Sequence, residues 1–553
     1  MLQVPHRVSA PTRVKLIAFG DPLEAMSQRD CRLPLTDGAT EFFGSHAFPH
    51  EPAASHPSTT NSTVLLDLLE RAFSFPAMLG VFLVGLVFYA TRCFTVDPDM
   101  WWHIKAGQDI LALRHFPTSD PYSFTVPGAP WIAYEWLGEV IFGFAARWGG
   151  LVVLDFLFFA LTSVLIVGLY YLAALRSGNC KAAFIATAAV YWMTFVSLNM
   201  RPQMLGYLFL AYLLFALEVF RKGTSGPIWL VPFVFLFWVN VHGTFIIGIA
   251  VLTVSLISGL RNFRLGSIEA NAWTPSQRMK LEAILLLSLA VLPVTPYGTQ
   301  IAFSPFQMAF NQPLNLAVIN EWRPMPFDIL GGKLFLAFIV IFIVLQMLYR
   351  FTWRLDEFLF ALGAAALACL HVRFLMLFVL FFVPLLAAIL AAWVPPYQRA
   401  LERYAFNAAL MSTSILTMVY YHPTRDFLEQ RVADTFPAGA VRYLDQHVVP
   451  APIWNSYGFG GYLIANGRKV FIDGRGDIYE RGGVLSDYMA LTQLKPGTFS
   501  ILDRYNIQSC LVTPKESLTA ALLLSPNWKR VYADNTSVLF IRTSSFRNVA
   551  NHP

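Results

Sequence analysis

The chain has 553 residues, a formal net charge of +6, 56% apolar residues and only 13% charged ones. Soluble domains carry roughly a quarter charged residues, so a single soluble globular protein is excluded. The Lys and Arg residues fall in short loops between apolar runs, a topological pattern that removes nucleic acid as a partner. The five cysteines (Cys31, Cys93, Cys180, Cys369 and Cys510) are scattered, which implies neither a disulfide framework nor a cysteine metal site.

Residues 1–74 are polar and irregular, rich in Ser, Pro, His and Thr over 45–63. They are expected to form a mostly disordered cytoplasmic tail without a cleavable signal. Apolar runs then recur at 75–94, 151–175, 182–198, 203–220, 228–241, 244–260, 281–294, 334–349, 357–370, 374–393 and 404–421. Most approach the roughly 20 residues that cross a hydrocarbon core. The stretch 131–148 is apolar too, but it is short and carries Glu135, Glu139 and Arg147. Reading it as an exterior interfacial helix leaves about eleven crossings. Arg176, Lys181, Arg221, Lys222, Arg350 and Arg354 then lie on the cytoplasmic side, as the positive-inside rule requires. Counting it as a crossing would invert every later loop.

The expected fold class is a polytopic α-helical membrane domain followed by an exterior α/β domain. The membrane domain spans 75–423, with long exterior loops at 95–150 and 295–333, and the α/β domain spans 424–553. In that domain 453–455, 469–473, 509–513, 529–533 and 537–542 read as strands, and 483–492 and 515–524 as helices. Asp534-Asn535 reads as the turn of the last hairpin. The implied location is a bacterial inner membrane, with the N-terminus cytoplasmic and the C-terminal domain periplasmic.

This topology gathers polar residues at one membrane face: Asp97, Asp99 and His103, then Arg201, His242, Tyr297, Glu321 and Arg373. Ionisable groups are costly beside lipid, so their convergence marks a candidate site. Asp97-Pro98-Asp99 fits a helix start, with Asp97 as N-cap and Pro98 at the first helical position. One cap needs one acid; a second acid and His103 suit deprotonating a hydroxyl or holding a divalent cation. Arg201 and Arg373 lie in tight exterior turns, where a guanidinium either snorkels or grips a lipid phosphate. His242 is either a packing histidine in an interhelical turn or a site residue, and Glu321 either a surface acid beside Trp322 or a ligand. Gly458-Phe459-Gly460-Gly461 is not a dinucleotide fingerprint. Asp473-Gly474-Arg475-Gly476-Asp477 reads as a polar turn in which Arg475 pairs with an aspartate.

These residues resemble the GT-C superfamily, multi-span transferases that use polyprenyl-phosphate sugars. A set of bacterial multi-span membrane proteins is similar over 75–542, through Asp97–His103, Ser119–Thr125, Glu135–Leu137 and Trp238–Gly243. More distantly, Trp454–Gly458 resembles the WWDYG motif of oligosaccharyltransferase catalytic subunits, and Val318-Ile319-Asn320-Glu321 their TIxE motif. The resemblance implies Asp97 or Asp99 as catalytic acid, Glu321 at the acceptor or a metal, and possible use of Mg or Mn. The Trp-Asn-Ser-Tyr-Gly stretch lacks the motif's acid, and the turn at Arg201 lacks that family's second acidic motif. A metal-free branch, similar to protein O-mannosyltransferases, fits as well.

Together these features suggest a glycosyltransferase that moves a sugar from a polyprenyl-phosphate donor to an acceptor at the exterior face. Asp97 would be the base, oriented by Asp99 and His103. Arg201 and Arg373 would hold the lipid phosphate, and Trp454 and Tyr457 would grip the acceptor. A non-catalytic scaffold or a transport and assembly protein for envelope polysaccharide is the alternative. Transport is disfavoured because mid-span positions are overwhelmingly apolar.

Overall fold

The computed structural model describes residues 61–92, 97–191, 193, 197–349 and 351–544. Most of the expected tail, with Cys31, and Cys93 and Arg350 lie outside them. The end of that tail is not irregular: Asn61–Ala72 is a helix. Its Glu70 accepts a hydrogen bond from Arg399 at 2.9 Å.

Five helices among the described residues are long and apolar enough to cross a membrane. They are Phe75–Arg92, Trp136–Ser177, Gln203–Arg221, Leu330–Leu348 and Val372–Leu390. Cys180–Ala189, Pro227–Val241 and Phe245–Ser258 are apolar but shorter. Val372–Leu390 runs through the middle of the bundle, buried nearly all round. Leu330–Leu348 exposes Leu336, Val340, Ile343 and Met347 along one face. Such a stripe has no stable place in water and suits contact with lipid.

Trp136–Ser177 contains a break at Gly149 and Gly150. Gly150 sits at φ 60° and ψ −144°, a region essentially reserved for glycine. The break falls where the interfacial stretch 131–148 was expected to hand over to a crossing. The Met100–Leu113 helix packs tightly on the part before the break. A Cβ on Gly107 would lie 1.8 Å from the Glu139 carbonyl oxygen, and one on Gly143 would lie 2.6 Å from the Gln108 nitrogen. Small residues at such a crossing let two backbones approach closely.

A small sheet joins β1 (Phe263–Leu265), β2 (Ile268–Ala270) and β3 (Trp353–Arg354). The C-terminal part carries a four-stranded sheet of order β4-β5-β7-β6. These strands are Ile453–Asn455, Ser509–Val512, Trp528–Ala533 and Val538–Arg542 in chain order. β4 and β5 are parallel, and β7 is antiparallel to both β5 and β6. In the hairpin turn Asp534 accepts from the backbone nitrogens of Thr536 and Ser537 at 2.9 and 2.7 Å.

The expected strand at 469–473 does not join this sheet. Its partner is the first long loop: Val470 N–H donates to Tyr122 O and Phe124 N–H to Val470 O, both at 3.1 Å. On its other side the Asn455 amide stands in for a ladder. Its Oδ1 accepts from Phe471 N–H at 2.8 Å, and its Nδ2 donates to Ile472 O at 2.8 Å. An aspartate could not make the second bond.

Two apolar cores result, one through the helical bundle and one through the C-terminal sheet. Tyr122, Trp131 and Ala133 of the first loop belong to the second. The C-terminal core is therefore completed by a segment more than three hundred residues upstream.

Candidate functional site

The helix expected to start at Pro98 starts at Met100. Asp97 turns its carboxylate onto the chain just before it, accepting from Asp99 N–H at 2.8 Å. That local bond aims the rest of the Asp97 carboxylate at Arg201, which donates from Nε to Oδ1 at 3.0 Å and lies 3.0 Å from Oδ2 through Nη2. Asp97 is thus a bidentate partner of a guanidinium, the strongest geometry such a pair adopts.

Arg201 also meets Asp99 Oδ2 at 3.1 Å and Glu321 Oε1 at 2.9 Å through Nη2, and donates from Nη1 to Glu321 Oε2 at 3.1 Å. Glu321 Oε2 in turn accepts from Arg373 Nη1 at 3.3 Å. Burial alone would raise the Glu321 carboxyl, but Arg201 and Arg373 outweigh it and hold it below its usual range. Asp99 behaves differently. Burial, with the charges of Asp97 and Glu321, lifts it to about 6 despite the pull of Arg201.

A second group continues the chain of contacts. Arg373 Nη2 lies 3.5 Å from His242 Nε2, and His242 Nε2 lies 3.2 Å from Glu135 Oε1. Glu135 Oε2 is 3.7 Å from His103 Nε2, whose other ring nitrogen is 3.2 Å from Glu139 Oε1. Both imidazoles are held well below their ordinary range, by burial first and then by the neighbouring arginines. They are therefore neutral at pH 7, and each bridges an acid or a hydroxyl. Burial lifts Glu135 to about 7, with Arg373 and Arg201 only partly offsetting it.

The cluster is layered. Asp97, His103 and His242 are buried at its floor, whereas the Asp99, Glu135, Arg201, Arg373 and Glu321 side chains keep 17–30% of their surface exposed. Residues far apart in sequence therefore line one strip that solvent reaches.

The C-terminal sheet unit roofs this strip. A Cβ on Gly461 would lie 2.3 Å from Pro98 O, and one on Gly474 would lie 1.8 Å from Asp99 Oδ1. Both glycine-containing motifs singled out in the sequence are places where the roof touches the Asp97–Asp99 turn. Arg475 fastens the unit in place. It pairs with Asp473 through Nε and Nη2 at 2.8 and 2.7 Å, and with Asp120 through Nη1 at 2.6 Å. Its guanidinium also stacks between Tyr122 and Trp131 at 5.0 and 4.9 Å. Glu480 does the same for the second long loop, accepting from the Leu314 and Asn315 backbone nitrogens at 2.8 and 2.7 Å.

Asp97, Asp99, His103, Arg201, His242, Glu321 and Arg373 are all brought together. Tyr457 adjoins them: after burial, the Asp99 charge is the largest influence raising its phenol. Two expected site residues are elsewhere. Trp454 is fully buried, stacked on Tyr488 at 5.5 Å inside the C-terminal core, so it cannot grip an acceptor. The Tyr297 hydroxyl donates to Pro117 O at 2.9 Å and accepts from Ala133 N–H at 3.2 Å, so it pins the first loop rather than facing the strip. Arg201 is surrounded by carboxylates and has no edge left for a lipid phosphate; Arg373 keeps that role open. Glu135 and Glu139 join the cluster, although the sequence marked them only as charges on a short apolar stretch and not as candidate site residues. Their signal was two acids four apart at the start of a mostly apolar helix.

The implied Mg or Mn can be tested on the donor set. Three carboxylate oxygens converge at 2.9–3.1 Å, but they converge on Arg201 Nη2. Among the described residues no group of three or more His, Cys, Asp or Glu is placed to hold a metal ion. As folded, the acids do not fit one.

No known family profile matches the chain, and no curated protein matches it. Among solved structures it aligns with the Archaeoglobus fulgidus oligosaccharyltransferase. The form tethered to an acceptor peptide containing the NVT sequon aligns at a TM-score of 0.46 and 11% identity, over 86% of this chain and 75% of that one. The apo form aligns at 0.44 and 12%, over 78% and 69%. The complex with an inhibitory peptide and a dolichol-phosphate gives 0.42 and 12%, over 78% and 69%.

Proposed function

We propose that this chain is a GT-C-type glycosyltransferase that moves a sugar from a polyprenyl-phosphate carrier to an acceptor at the outer face of a bacterial inner membrane. In this reading the helical part over 75–423 lies in the membrane and the unit over 424–553 is periplasmic. The observation that carries it is the strip itself, where acids outnumber guanidinium groups at one end of the apolar helices. Acids grouped in this way, two of them lifted by burial beside charged partners, mark a candidate functional site.

The acceptor's nucleophilic oxygen or nitrogen would attack the anomeric carbon. The bond from that carbon to the phosphate oxygen would break, and the electron pair would leave on the carrier phosphate. The acceptor's proton needs a base with a free edge and a pKa near working pH. Asp97, with both oxygens on Arg201, lacks that edge; it is the anchor. Asp99, partly exposed, lifted to about 6 and held by Arg201 through one oxygen only, would be the better base once the Gly474 contact over its other oxygen opens. Arg373, with one amine on Glu321 and the other near His242, is the guanidinium able to turn toward a phosphate. Its ring-face contact with Trp322 at 5.1 Å keeps it oriented.

The test is binding of a polyprenyl-phosphate hexose to the protein in lipid nanodiscs. Saturable binding is expected, weakened about tenfold or more by Arg373→Ala, in line with the loss of charge-assisted hydrogen bonds. If several sugar carriers bind no better than plain polyprenol, the scaffold reading takes over.

A further inference from the structure

We infer that Arg201 is the resident cation of this site, filling the place a divalent ion would take among Asp97, Asp99 and Glu321, so that the site needs no metal. The inference deepens the transferase reading, but it is a statement about ion occupancy and can be checked without any transfer.

The geometry is that of a cation nest with a nitrogen at its centre. Oδ2 of Asp97, Oδ2 of Asp99 and Oε1 of Glu321 lie 3.0, 3.1 and 2.9 Å from the single atom Nη2. Mg and Mn demand oxygens at roughly 2.0–2.1 Å in near-octahedral array, so these acids stand about an ångström too far out for a metal at that point. They stand at the right distance for hydrogen bonds from an ionised donor. The other two sides of the guanidinium are also used, Nε on Asp97 Oδ1 at 3.0 Å and Nη1 on Glu321 Oε2 at 3.1 Å. Each of its three nitrogens has a carboxylate partner.

The chain is built to hold Arg201 there. It sits in a short turn between buried Met200 and Pro202. Pro202 packs so closely on the helix that begins just after Glu135 and carries Glu139 that a Cβ on Gly138 would lie 2.6 Å from the Pro202 Cβ. The guanidinium never deprotonates at accessible pH. A cation that is covalently part of the chain cannot be chelated, exchanged or diluted. One positive charge among three acids also leaves the nest negative, which accounts for the second guanidinium, Arg373, on Glu321.

The experiment titrates Mn2+ into chelator-treated protein in nanodiscs and reads bound ion by electron paramagnetic resonance. The wild-type protein is expected to take up no stoichiometric Mn2+ in the micromolar range. Arg201→Gly vacates the nest and is expected to take up one ion per chain, and adding Asp99→Asn to it should abolish that uptake. Two results overturn the inference: a wild-type protein that binds one Mn2+ and loses it in Asp99→Asn, or a folded Arg201→Gly protein that binds none. Should Arg201→Gly fail to fold, wild type and Asp99→Asn decide alone, uptake lost on mutation overturning the inference and absence of uptake supporting it. Carrier binding can fail entirely without touching these readings, so the two ideas fall separately.

Discussion

The two ends of the helical bundle carry ionic clusters of similar burial, one balanced in charge and the other with acids in excess. At the end away from the site, Arg176 pairs with Glu357, Arg221 with Asp356, and Arg354 with Glu218 and Glu357. Three guanidinium groups meet three carboxylates there, with Arg221 also stacked 4.3 Å over Trp273. Among the described residues, Asp97, Asp99, Glu135, Glu139 and Glu321 at the site end share only Arg201 and Arg373, and the two histidines between them are neutral. The matched cluster is closed electrostatically and holds helices together. The unmatched one leaves acids in excess of cations, and burial lifts two of them, Asp99 and Glu135, above their ordinary range. Charge balance, more than burial, separates a structural ion network from a candidate site.

Substitutions of one acid from each cluster sharpen that contrast. Asp99→Asn should lower transfer by about 10²–10⁴-fold, the usual worth of a general base, with little change in thermal melting. Asp356→Asn should leave transfer alone but strand Arg221, costing on the order of 3 kcal/mol and lowering the melting temperature. Equal effects of both variants on transfer and on melting would erase the distinction. Arg373→Ala and Arg354→Ala form the basic counterpart: only the first should weaken carrier binding.

The clusters were unequally legible in the sequence. Apolar run lengths and loop charge separate the two ends, because lipid penalises misplaced ionisable groups whatever the tertiary detail. Most partners inside each cluster are invisible, since pairs such as Arg201 with Asp97 and Glu321, or Arg176 with Glu357, come from segments a hundred or more residues apart. Arg201 looked like a phosphate ligand because its three acids could not be foreseen around it. Trp454 reads as a contact residue because a Trp before a turn carries no label of which way it points; its strand is an edge of the C-terminal sheet, and its side chain is buried in that sheet's core. The strand at 469–473 failed because its hydrogen-bond partners are a loop and an asparagine side chain, neither of which alternation can reveal.

A smaller effect tests the roof. Gly474→Ala would put a methyl 1.8 Å from Asp99 Oδ1, so either the acid or the C-terminal unit must move. Overpacking of this kind costs roughly 1–3 kcal/mol, and transfer should fall with it. Gly363→Ala, in the Leu355–Leu370 helix with open space around it, should be neutral or stabilise by up to about 1 kcal/mol. A harmless Gly474→Ala would mean that the roof is not seated on Asp99.

Glu516 provides the control for reading raised acids as functional. Burial raises it to about 7, as it does Glu135, yet it has no cationic neighbour of the Glu135 kind. Oε1 accepts from the Thr513 hydroxyl at 3.2 Å, and Oε2 has no partner among the described residues. A folded pKa near 7 against an ordinary 4.5 means that folding favours the protonated acid. Its stabilising contribution is fully present below pH 4.5 and is lost as pH rises through about 7, for at most about 3 kcal/mol. Glu516→Gln cannot ionise, so it should melt higher than wild type at pH 8 and close to it at pH 5, with transfer unchanged at both. Glu135→Gln should lower carrier binding or transfer at pH 8 as well as altering the melting profile, because Glu135 joins His103 to His242 beside Arg373. If the two glutamines behaved alike, the raised Glu135 would be a cost of burial, as at Glu516, and the case for the site would rest on the Asp99–Arg201–Glu321 contacts alone.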